Sequence, residues 1–319
     1  MRRFRQFAVS AAALGLLTAA ACTPQPDGGG GPSEPATTFA VIGDFGYDHP
    51  YIGELGSLVD RIDPDYVLTT GDNIQTPLPV TGTDRYDLIV GRHFCEFLAD
   101  AAPGPYCPSG GLSATNRFFP APGNHDYDHG TIVNYLQYFT LPGASVPSTN
   151  TSGNELYYDV RLGPVHAFVV DSEPAYQERY LAPAQQAQTN AQKAWLQQAM
   201  AASNAPWKVV LLHEPPYGSS ATYGSLSYVQ WPYAQWGADM VLNGHAAVYE
   251  RVHRDGIVYL TNGLGGGEPS AFGTPIQGSQ FRYNEDIATA TRINATSSTL
   301  KVELVTAEDE VVDTFTLNG

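Results

Sequence analysis

Lysine and positive charge are scarce in this sequence. The chain of 319 residues has three lysines (Lys193, Lys208 and Lys301), and 32 Asp and Glu residues outnumber 16 Lys and Arg residues. No run of Lys and Arg forms the basic footprint that nucleic-acid-binding proteins carry. An acidic chain that handles an anionic substrate needs local positive charge, which metal ions supply without a basic surface. The composition therefore argues against a nucleic-acid partner and is compatible with a metal site.

The sequence also lacks an apolar run long enough to span a bilayer comfortably. Residues 7–21 are apolar and follow a start with three arginines, so we assign residues 1–21 to a signal peptide. Ala19-Ala20-Ala21-Cys22 resembles a bacterial lipobox with Cys22 as the lipid-modified residue, although Ala19 stands where Leu is usual. A plain cleavage site with an incidental cysteine is the alternative. Residues 22–37 are rich in Gly and Pro and are typical of a flexible tether. We therefore expect an exported lipoprotein whose only membrane contact is its lipid anchor. The alternative location is that of a secreted or periplasmic protein.

Cysteine is scarce as well, with three residues in the chain. Besides Cys22 there are Cys95 and Cys107, which flank a Pro/Gly-rich loop. Outside the cytoplasm a disulfide between them is the favoured interpretation, because a zinc site would need other cysteines nearby. We expect residues 38–319 to form a single domain, since that length is sufficient for a substantial core.

Polar residues follow the ends of several predicted strands. The run from Tyr66 to Thr70 is rich in β-formers and leads to Gly71 and Asp72, which places a carboxylate at the sheet edge where open α/β sheets bind ligands. Four other predicted strand ends show a similar pattern. The five segments are Gly43-Asp44-Phe45-Gly46, Gly71-Asp72-Asn73, Gly123-Asn124-His125-Asp126, His213-Glu214-Pro215-Pro216-Tyr217 and Gly244-His245-Ala246-Ala247-Val248-Tyr249-Glu250-Arg251.

Each of these polar residues alone has a structural explanation. Aspartate and asparagine are common in turns, and a single histidine is often satisfied within the core. Five in order are different, because carboxylates and imidazoles crowded at one sheet edge are costly to bury without a cation among them. Oxygen and nitrogen donors of this kind suit Fe, Zn or Mn. The pattern therefore predicts a transition-metal site.

The order of the elements predicts the fold class. Apolar strands alternate with helices and are followed by antiparallel strands, which indicates an α/β fold with two packed sheets flanked by helices. We expect a helix that ends at Asp63-Pro64 and further helices near residues 86–98 and 183–202. The predicted later strands are a hairpin at 156–162 and 165–171, and closing strands at 288–294, 300–305 and 311–317.

The five segments resemble, in the same order, the motifs of the calcineurin-like metallophosphoesterases. The purple acid phosphatase branch is the most similar, because the first motif reads Asp-x-Gly and Tyr249-Glu250-Arg251 follows the last. The resemblance spans about residues 39–267 and implies a β-sandwich of two mixed sheets flanked by helices. It also implies that two cations about 3.5–4 Å apart clamp the phosphoryl oxygens and hold a hydroxide in line for attack.

The same resemblance assigns roles to individual residues. It implies that Asp72 bridges two metal ions and that Asp44 binds the first of them. Asn124, His213 and His245 would complete the second site. His125 would contact the phosphate and donate a proton to the leaving alkoxide.

Two positions depart from the family pattern. Gln75 stands where purple acid phosphatases have an iron-binding tyrosine, and Ala247 stands where the family has a second histidine. Both missing groups serve the first ion, so we expect that ion to be weakly bound or absent and the protein to be colourless. Residues 47–49 (Tyr47, Asp48 and His49) could fold back to substitute, but a solvated loop is the favoured interpretation for each.

The sequence thus predicts an exported, metal-dependent phosphomonoesterase that resembles acid phosphatases and acts on a small phosphorylated substrate. One alternative is a degenerate member of the family that binds phosphate or a partner at a half-empty site. Another is a phosphodiesterase or nucleotidase, because loops such as residues 86–116 set the substrate class.

Overall fold

Two mixed β-sheets form the centre of the fold. The structure is a computed structural model that describes residues 35–127, 130–144, 146, 150–174 and 183–319. The predicted signal peptide, Cys22 and most of the predicted tether lie outside these residues. Residues Pro35–Gly319 cluster as one compact unit. No helix in the described part of the chain has the length and apolar character needed to cross a membrane.

The strands are numbered in chain order. They are β1 (Thr37–Ile42), β2 (Tyr66–Thr69), β3 (Phe118–Pro120), β4 (Tyr158–Leu162), β5 (Val165–Val169), β6 (Trp207–Leu211), β7 (Met240–Asn243), β8 (Tyr249–Arg254), β9 (Ile257–Asn262), β10 (Ser279–Tyr283), β11 (Thr289–Ala295), β12 (Thr299–Thr306) and β13 (Val311–Asn318).

The helices are short, with two exceptions. They are α1 (Pro50–Ile62), α2 (Asp84–Tyr86), α3 (Arg92–Phe94), α4 (Val133–Tyr138), α5 (Pro183–Ala202) and α6 (Tyr233–Trp236). A π-helical turn (Asp87–Gly91) joins α2 to α3, and a 3-10 turn (Cys95–Phe97) follows α3, so residues 84–97 are helical throughout. A further 3-10 turn covers Ser227–Val229.

The first sheet has the strand order β13-β12-β11-β1-β2-β3, and the second has the order β10-β8-β9-β7-β6-β5-β4. In the first sheet β1, β2 and β3 are parallel, whereas β11 pairs antiparallel with β1. In the second sheet β5, β6, β7 and β9 are parallel, and the hairpin partners β4 and β8 are antiparallel. The predicted α/β class with two mixed sheets is confirmed.

The core explains why β6 is apolar at successive positions. Val209 and Leu211 belong to the larger core, which contains residues of both sheets. Val210 and Leu212 belong to a second cluster with Leu196, which lies on α5. Because both faces of this parallel strand are covered, the sequence does not alternate between apolar and polar residues.

Most predicted elements lie where the sequence indicated, but β8 and α4 were not predicted, and neither was β10. Its sequence, Ser-Gln-Phe-Arg-Tyr, has no fully buried residue and pairs with β8 through a register shift between Ser279 and Phe281. An edge strand that buries little apolar surface leaves only a weak periodic signal. Cys95 and Cys107 form a disulfide bond within the loop region that follows α3.

A polar cluster joins the two sheets. Arg251 on β8 forms a two-point ion pair with Asp313 on β13, with Nε–Oδ2 and Nη2–Oδ1 distances of 2.9 and 3.0 Å. The Tyr249 hydroxyl donates to the same carboxylate at 3.0 Å. Tyr249 and Arg251 of the Tyr-Glu-Arg segment therefore link the sheets and do not contact the site described below.

We expect Asp313→Asn to lower the free energy of unfolding by about 3 kcal/mol, because the largely buried Arg251 guanidinium then loses its counter-charge. Urea unfolding measures the change. The matched control is Asp309→Asn at the exposed Arg61–Asp309 pair, which should cost less than about 1 kcal/mol. Equal small costs at both pairs would contradict a structural role for the cluster.

Candidate metal centre

The ends of five strands meet at one place between the sheets. Asp44, Asp72 and Asn124 follow β1, β2 and β3 of the first sheet, while His213 and His245 follow β6 and β7 of the second. One ligand atom each from Asp44, Asp72 and His213 lie within 4.8 Å of one another. The structure therefore brings together the residues that the sequence pattern predicted to be neighbours.

Three of these residues have a left-handed backbone. Asp44, Asp72 and His245 have φ angles of 56°, 54° and 66°. Such conformations cost about 1–3 kcal/mol each for residues other than glycine, and they cluster at functional sites. The Asp44 carboxylate accepts a hydrogen bond from the His245 backbone N–H at 2.9 Å, which holds two of the three strained residues together across the sheets.

Glycine is required at two of the strand ends. A Cβ atom at Gly71 would lie 2.5 Å from His213 Nδ1, and the φ angle of 95° at this residue also disfavours a side chain. A Cβ atom at Gly123 would collide with the backbone nitrogen and Oδ1 of Asp72. The glycines in these segments let the loops approach closely enough for their polar side chains to meet.

Four donor atoms converge at the centre of the site. Asn124 Oδ1 lies 3.0 Å from His213 Nε2 and 2.9 Å from His245 Nδ1. His213 Nε2 lies 3.2 Å from His245 Nδ1 and 3.3 Å from Asp72 Oδ1. Neighbouring ligands on one ion with bonds of about 2.0–2.1 Å are separated by about 3.0–3.4 Å, so these spacings fit a single transition metal.

The hydrogen bonding of His213 makes this ring a suitable ligand. Its Nδ1 lies 2.8 Å from the carbonyl oxygen of Thr70, which can only accept. Nδ1 therefore carries the proton, and the lone pair of Nε2 points toward Asn124, His245 and Asp72 in the neutral ring. Lone pairs this close repel one another unless a cation lies among them, so the donor set fits the predicted ion.

The neighbouring charges determine whether the His213 ring is protonated when no metal ion is bound. Burial alone would lower the pKa of His213, but the carboxylates of Asp72 and Asp44 raise it well above the ordinary value. Burial and the neighbouring His213 lower the pKa of His245 to about 3. Burial raises the pKa of Asp44 well above its ordinary range, whereas at Asp72 the effect of burial is outweighed by His213 and His125 together, which lower its pKa. A proton on His213 and a metal ion therefore compete for the same place.

A cavity of about 180 Å³ opens onto the site. Four of the five predicted ligands line it, together with His125, while His213 is fully buried behind them. The side chain of His125 is 40% exposed, its backbone N–H donates to Asp72 Oδ1 at 2.9 Å, and its Nε2 lies 4.0 Å from Asp72 Oδ2. Its imidazole therefore reaches the cavity from a fixed backbone position.

The structure corrects one expectation about the loop after β1. Asp48 and His49 are exposed and do not line the cavity, and His49 instead caps α1 by accepting a hydrogen bond from the Tyr51 N–H. Tyr47, however, is half-buried and does line the cavity, so the expected solvated loop is wrong for this residue. The ring is held in place by packing on Gly267.

The cavity is also lined by one aromatic residue and one acidic residue that the sequence did not predict. Tyr223 packs its ring on His245 with centroids 4.1 Å apart, and Glu268 is an exposed lining residue. Among the described residues that line the cavity there is no Lys or Arg. Positive charge for an anionic substrate must therefore come from histidine or from bound metal.

Supporting residues were also missed, although they lie inside the predicted segments. Asp126 accepts hydrogen bonds from the Gly123 N–H, the Asn73 side-chain amide and the Tyr86 hydroxyl at 2.8, 2.9 and 3.1 Å. Burial, with a contribution from the Asp72 charge, raises the pKa of Asp126 to about 7. These bonds fix the loop after β3 against the loop after β2. The available signal was that Asn73 directly follows Asp72 and that Asp126 directly follows His125.

A second support lies behind His213. The His213 backbone N–H donates to Ser172 Oγ at 3.2 Å, and the Ser172 hydroxyl donates to the buried Glu214 carboxylate. Burial raises the pKa of Glu214, which favours its neutral form next to the site. Ser172 follows the apolar strand β5 and Asp171, but nothing in the sequence indicates that its hydroxyl contacts the His213 segment.

Comparison with known proteins gives one family. The family model described as calcineurin-like phosphoesterase matches residues 37–249. Purple acid phosphatase 15 of Arabidopsis thaliana is 26% identical over 263 residues, which cover 74% of this chain and 46% of that protein. Phosphoenolpyruvate phosphatase of Allium cepa is 23% identical over 242 residues, which cover 71% of this chain and 44% of that protein. The chain spans about half the length of the curated relatives it matches.

Two solved structures share the fold. Purple acid phosphatase PPD1 from seeds of yellow lupin (Lupinus luteus) has a TM-score of 0.64 at 16% identity and covers 89% of this chain and 54% of its own. GAP50 of Plasmodium, described as the anchor in the inner membrane complex, has a TM-score of 0.65 at 17% identity and covers 89% of both chains. At these identities the likeness shows the fold alone.

We expect His213→Ala or His245→Ala to remove the tightly bound ion, because each variant deletes one of the converging donor atoms. Equilibrium dialysis against Zn²⁺ with elemental analysis should show affinity lower by at least about 10–100-fold. Affinity in the unchanged protein should also fall as the pH drops, because the raised pKa of His213 keeps the competing proton in place.

The control for this test is His166→Ala, which removes a buried histidine that pairs with Asp159 away from the site. It should leave Zn²⁺ binding unchanged even if it lowers stability. Unaltered Zn²⁺ affinity in His213→Ala would exclude His213 as a ligand.

Proposed function

The chain belongs to the calcineurin-like phosphoesterase family, and on that basis we propose that it is a metal-dependent phosphohydrolase that releases phosphate from a monoester. The observation that carries the proposal is that Asn124, His213 and His245 place donor atoms within 2.9–3.2 Å of one another, with Asp72 Oδ1 3.3 Å from His213 Nε2. These donors would hold the second ion, with Fe, Zn or Mn as candidates. When bound, the ion supplies positive charge for the phosphoryl oxygens and makes water nucleophilic near neutral pH.

The protein's own residues then have separate tasks. Thr70 and Ser172 orient His213 through its Nδ1 and its backbone N–H. Asp72 fixes the backbone of His125, so the half-exposed imidazole of His125 can donate a proton to the leaving oxygen of a substrate in the cavity.

The cavity supports a small substrate. Its volume of about 180 Å³ accommodates a phosphoryl group with part of a leaving group, and it is open on one side. Because no Lys or Arg lines its described part, a second negative group on the substrate would find no cationic side chain there. This favours phosphomonoesters with an uncharged leaving group.

One alternative rests on a specific observation. Gln75 and Ala247 line the cavity where the family places two ligands of the first ion. A protein that binds phosphate or a partner without hydrolysis is the second candidate function. An assay on aryl phosphate monoesters and diesters with added Zn²⁺, Mn²⁺ or Fe separates the cases, because a binder would hydrolyse neither.

We expect His125→Ala to retain bound metal and to lower kcat by about 10²–10⁴-fold for alkyl phosphates, because their leaving oxygens need a proton. The loss should be smallest for aryl phosphates with acidic phenols, which leave without one. Steady-state kinetics over a series of leaving groups measures the difference. The control is His49→Ala, at an exposed histidine outside the cavity, which should change neither series. Equal losses for all leaving groups would make His125 structural.

We also propose that the protein is exported and tethered by lipid at Cys22. The support is the basic start, the apolar residues 7–21 and the Gly/Pro-rich stretch that follows Cys22. Cys22→Ser should move the protein from the membrane fraction to the soluble fraction, as detected by detergent partitioning. An unmodified mature N-terminus in mass spectrometry would refute the lipid anchor.

A further inference from the structure

The first ion has a shortage of ligands if only the family positions are considered. Asp44 and Asp72 remain, while Gln75 offers a neutral amide and Ala247 offers no donor atom. The Ser270 N–H donates to the Ala247 carbonyl oxygen at 2.8 Å, so the chain near residue 270 runs close over Ala247. A replacement donor must come from another side chain that lines the same cavity.

The loop after β1 is fastened next to Gln75. The Gly46 N–H donates to the Asp72 carbonyl oxygen at 3.2 Å, and the Gln75 N–H donates to the Gly46 carbonyl oxygen at 2.7 Å. A Cβ atom at Gly46 would collide with the backbone of Ile74. This close packing places the backbone of Tyr47 beside Gln75, the position at which purple acid phosphatases have their iron-binding tyrosine.

The ring of Tyr47 is then directed into the cavity. A Cβ atom at Gly267 would lie 2.9 Å from Tyr47 Cε2, so the ring rests on the bare backbone of this glycine. Tyr47 lines the cavity with Asp44, Asp72 and Gln75. Burial and the neighbouring charges of Asp44 and Asp72 raise the pKa of the Tyr47 hydroxyl to about 12, which agrees with a position of this oxygen near both carboxylates.

We propose that Tyr47 is the third protein ligand of the first ion, as a phenolate beside the carboxylates of Asp44 and Asp72. On binding, the phenol O–H bond breaks, the proton passes to solvent, and the oxygen coordinates the ion. Three protein oxygens with open positions for water form an ordinary catalytic metal site, and this donor set suits hard ions. The inference rests on the proposed function and replaces the expectation of a weak first ion and a colourless protein.

A second tyrosine provides a matched control. Tyr223 also lines the cavity, but its ring packs on His245, so it lies on the side of the second ion. Among the described lining residues, Tyr47 and Tyr223 are the two that could supply a phenolate. Substitution of each by phenylalanine removes one hydroxyl and keeps the aromatic packing.

The experiment loads the full-length protein with Fe³⁺ and records metal content and the visible spectrum. A phenolate bound to Fe³⁺ gives a visible charge-transfer band, so the unchanged protein should be coloured and bind two ions per chain. Tyr47→Phe should lose the band and bind the first ion at least about 10-fold more weakly. Tyr223→Phe should keep both the band and the stoichiometry.

Several outcomes overturn the inference. Three results would each exclude Tyr47 as the ligand. They are a band that persists in Tyr47→Phe, a band that is lost in Tyr223→Phe, and a wild-type protein that binds two Fe³⁺ ions without a band. Should Tyr47→Phe fail to fold, a band that persists in Tyr223→Phe still assigns the phenolate to Tyr47, and its loss there still refutes the assignment. A coloured protein that hydrolyses no phosphate ester would refute the proposed function and leave the Tyr47 ligand standing.

Discussion

The hydrogen bond between His213 Nδ1 and the Thr70 carbonyl oxygen is the interaction on which the site depends. Thr70 follows a strand of the first sheet and His213 follows a strand of the second, so the 2.8 Å contact bridges the two sheets at their ends. It also fixes which ring nitrogen is free to accept a cation. The bond from the His245 N–H to Asp44 crosses the same gap in the other direction. The sheets are thus aligned by the groups that carry the chemistry.

The sequence could predict the strand ends but not the path of the loops beyond them. Asp44, Asp72, Asn124, His213 and His245 follow apolar runs that end in glycine or polar residues, which is a local signal. The position of Tyr47 depends on Gly46 packing against the backbone of Ile74, and that contact joins segments with no shared pattern. The same limit applies to Ser172, which acts through its neighbours in space.

The acidic composition takes on a physical meaning at the site. Burial raises the pKa values of Glu214 and Asp171, because it disfavours their charged forms. At Asp72, His213 and His125 together lower the pKa against the effect of burial, which favours its charged form. Asp72 therefore keeps negative charge between His213 and His125, where a bound cation would interact with it.

The position of β1 has a consequence for the order in which the protein matures. β1 lies between β2 and β11, with Thr37 opposite Ala295, so one neighbour of this central strand is synthesised only near the end of the chain. Contacts between such distant segments form slowly and late in folding. Asp44 follows β1, and it reaches its strained conformation only once that strand is in place. A nascent chain that lacks β11 therefore cannot complete the first ion site, and metal binding there follows the synthesis of nearly the whole polypeptide.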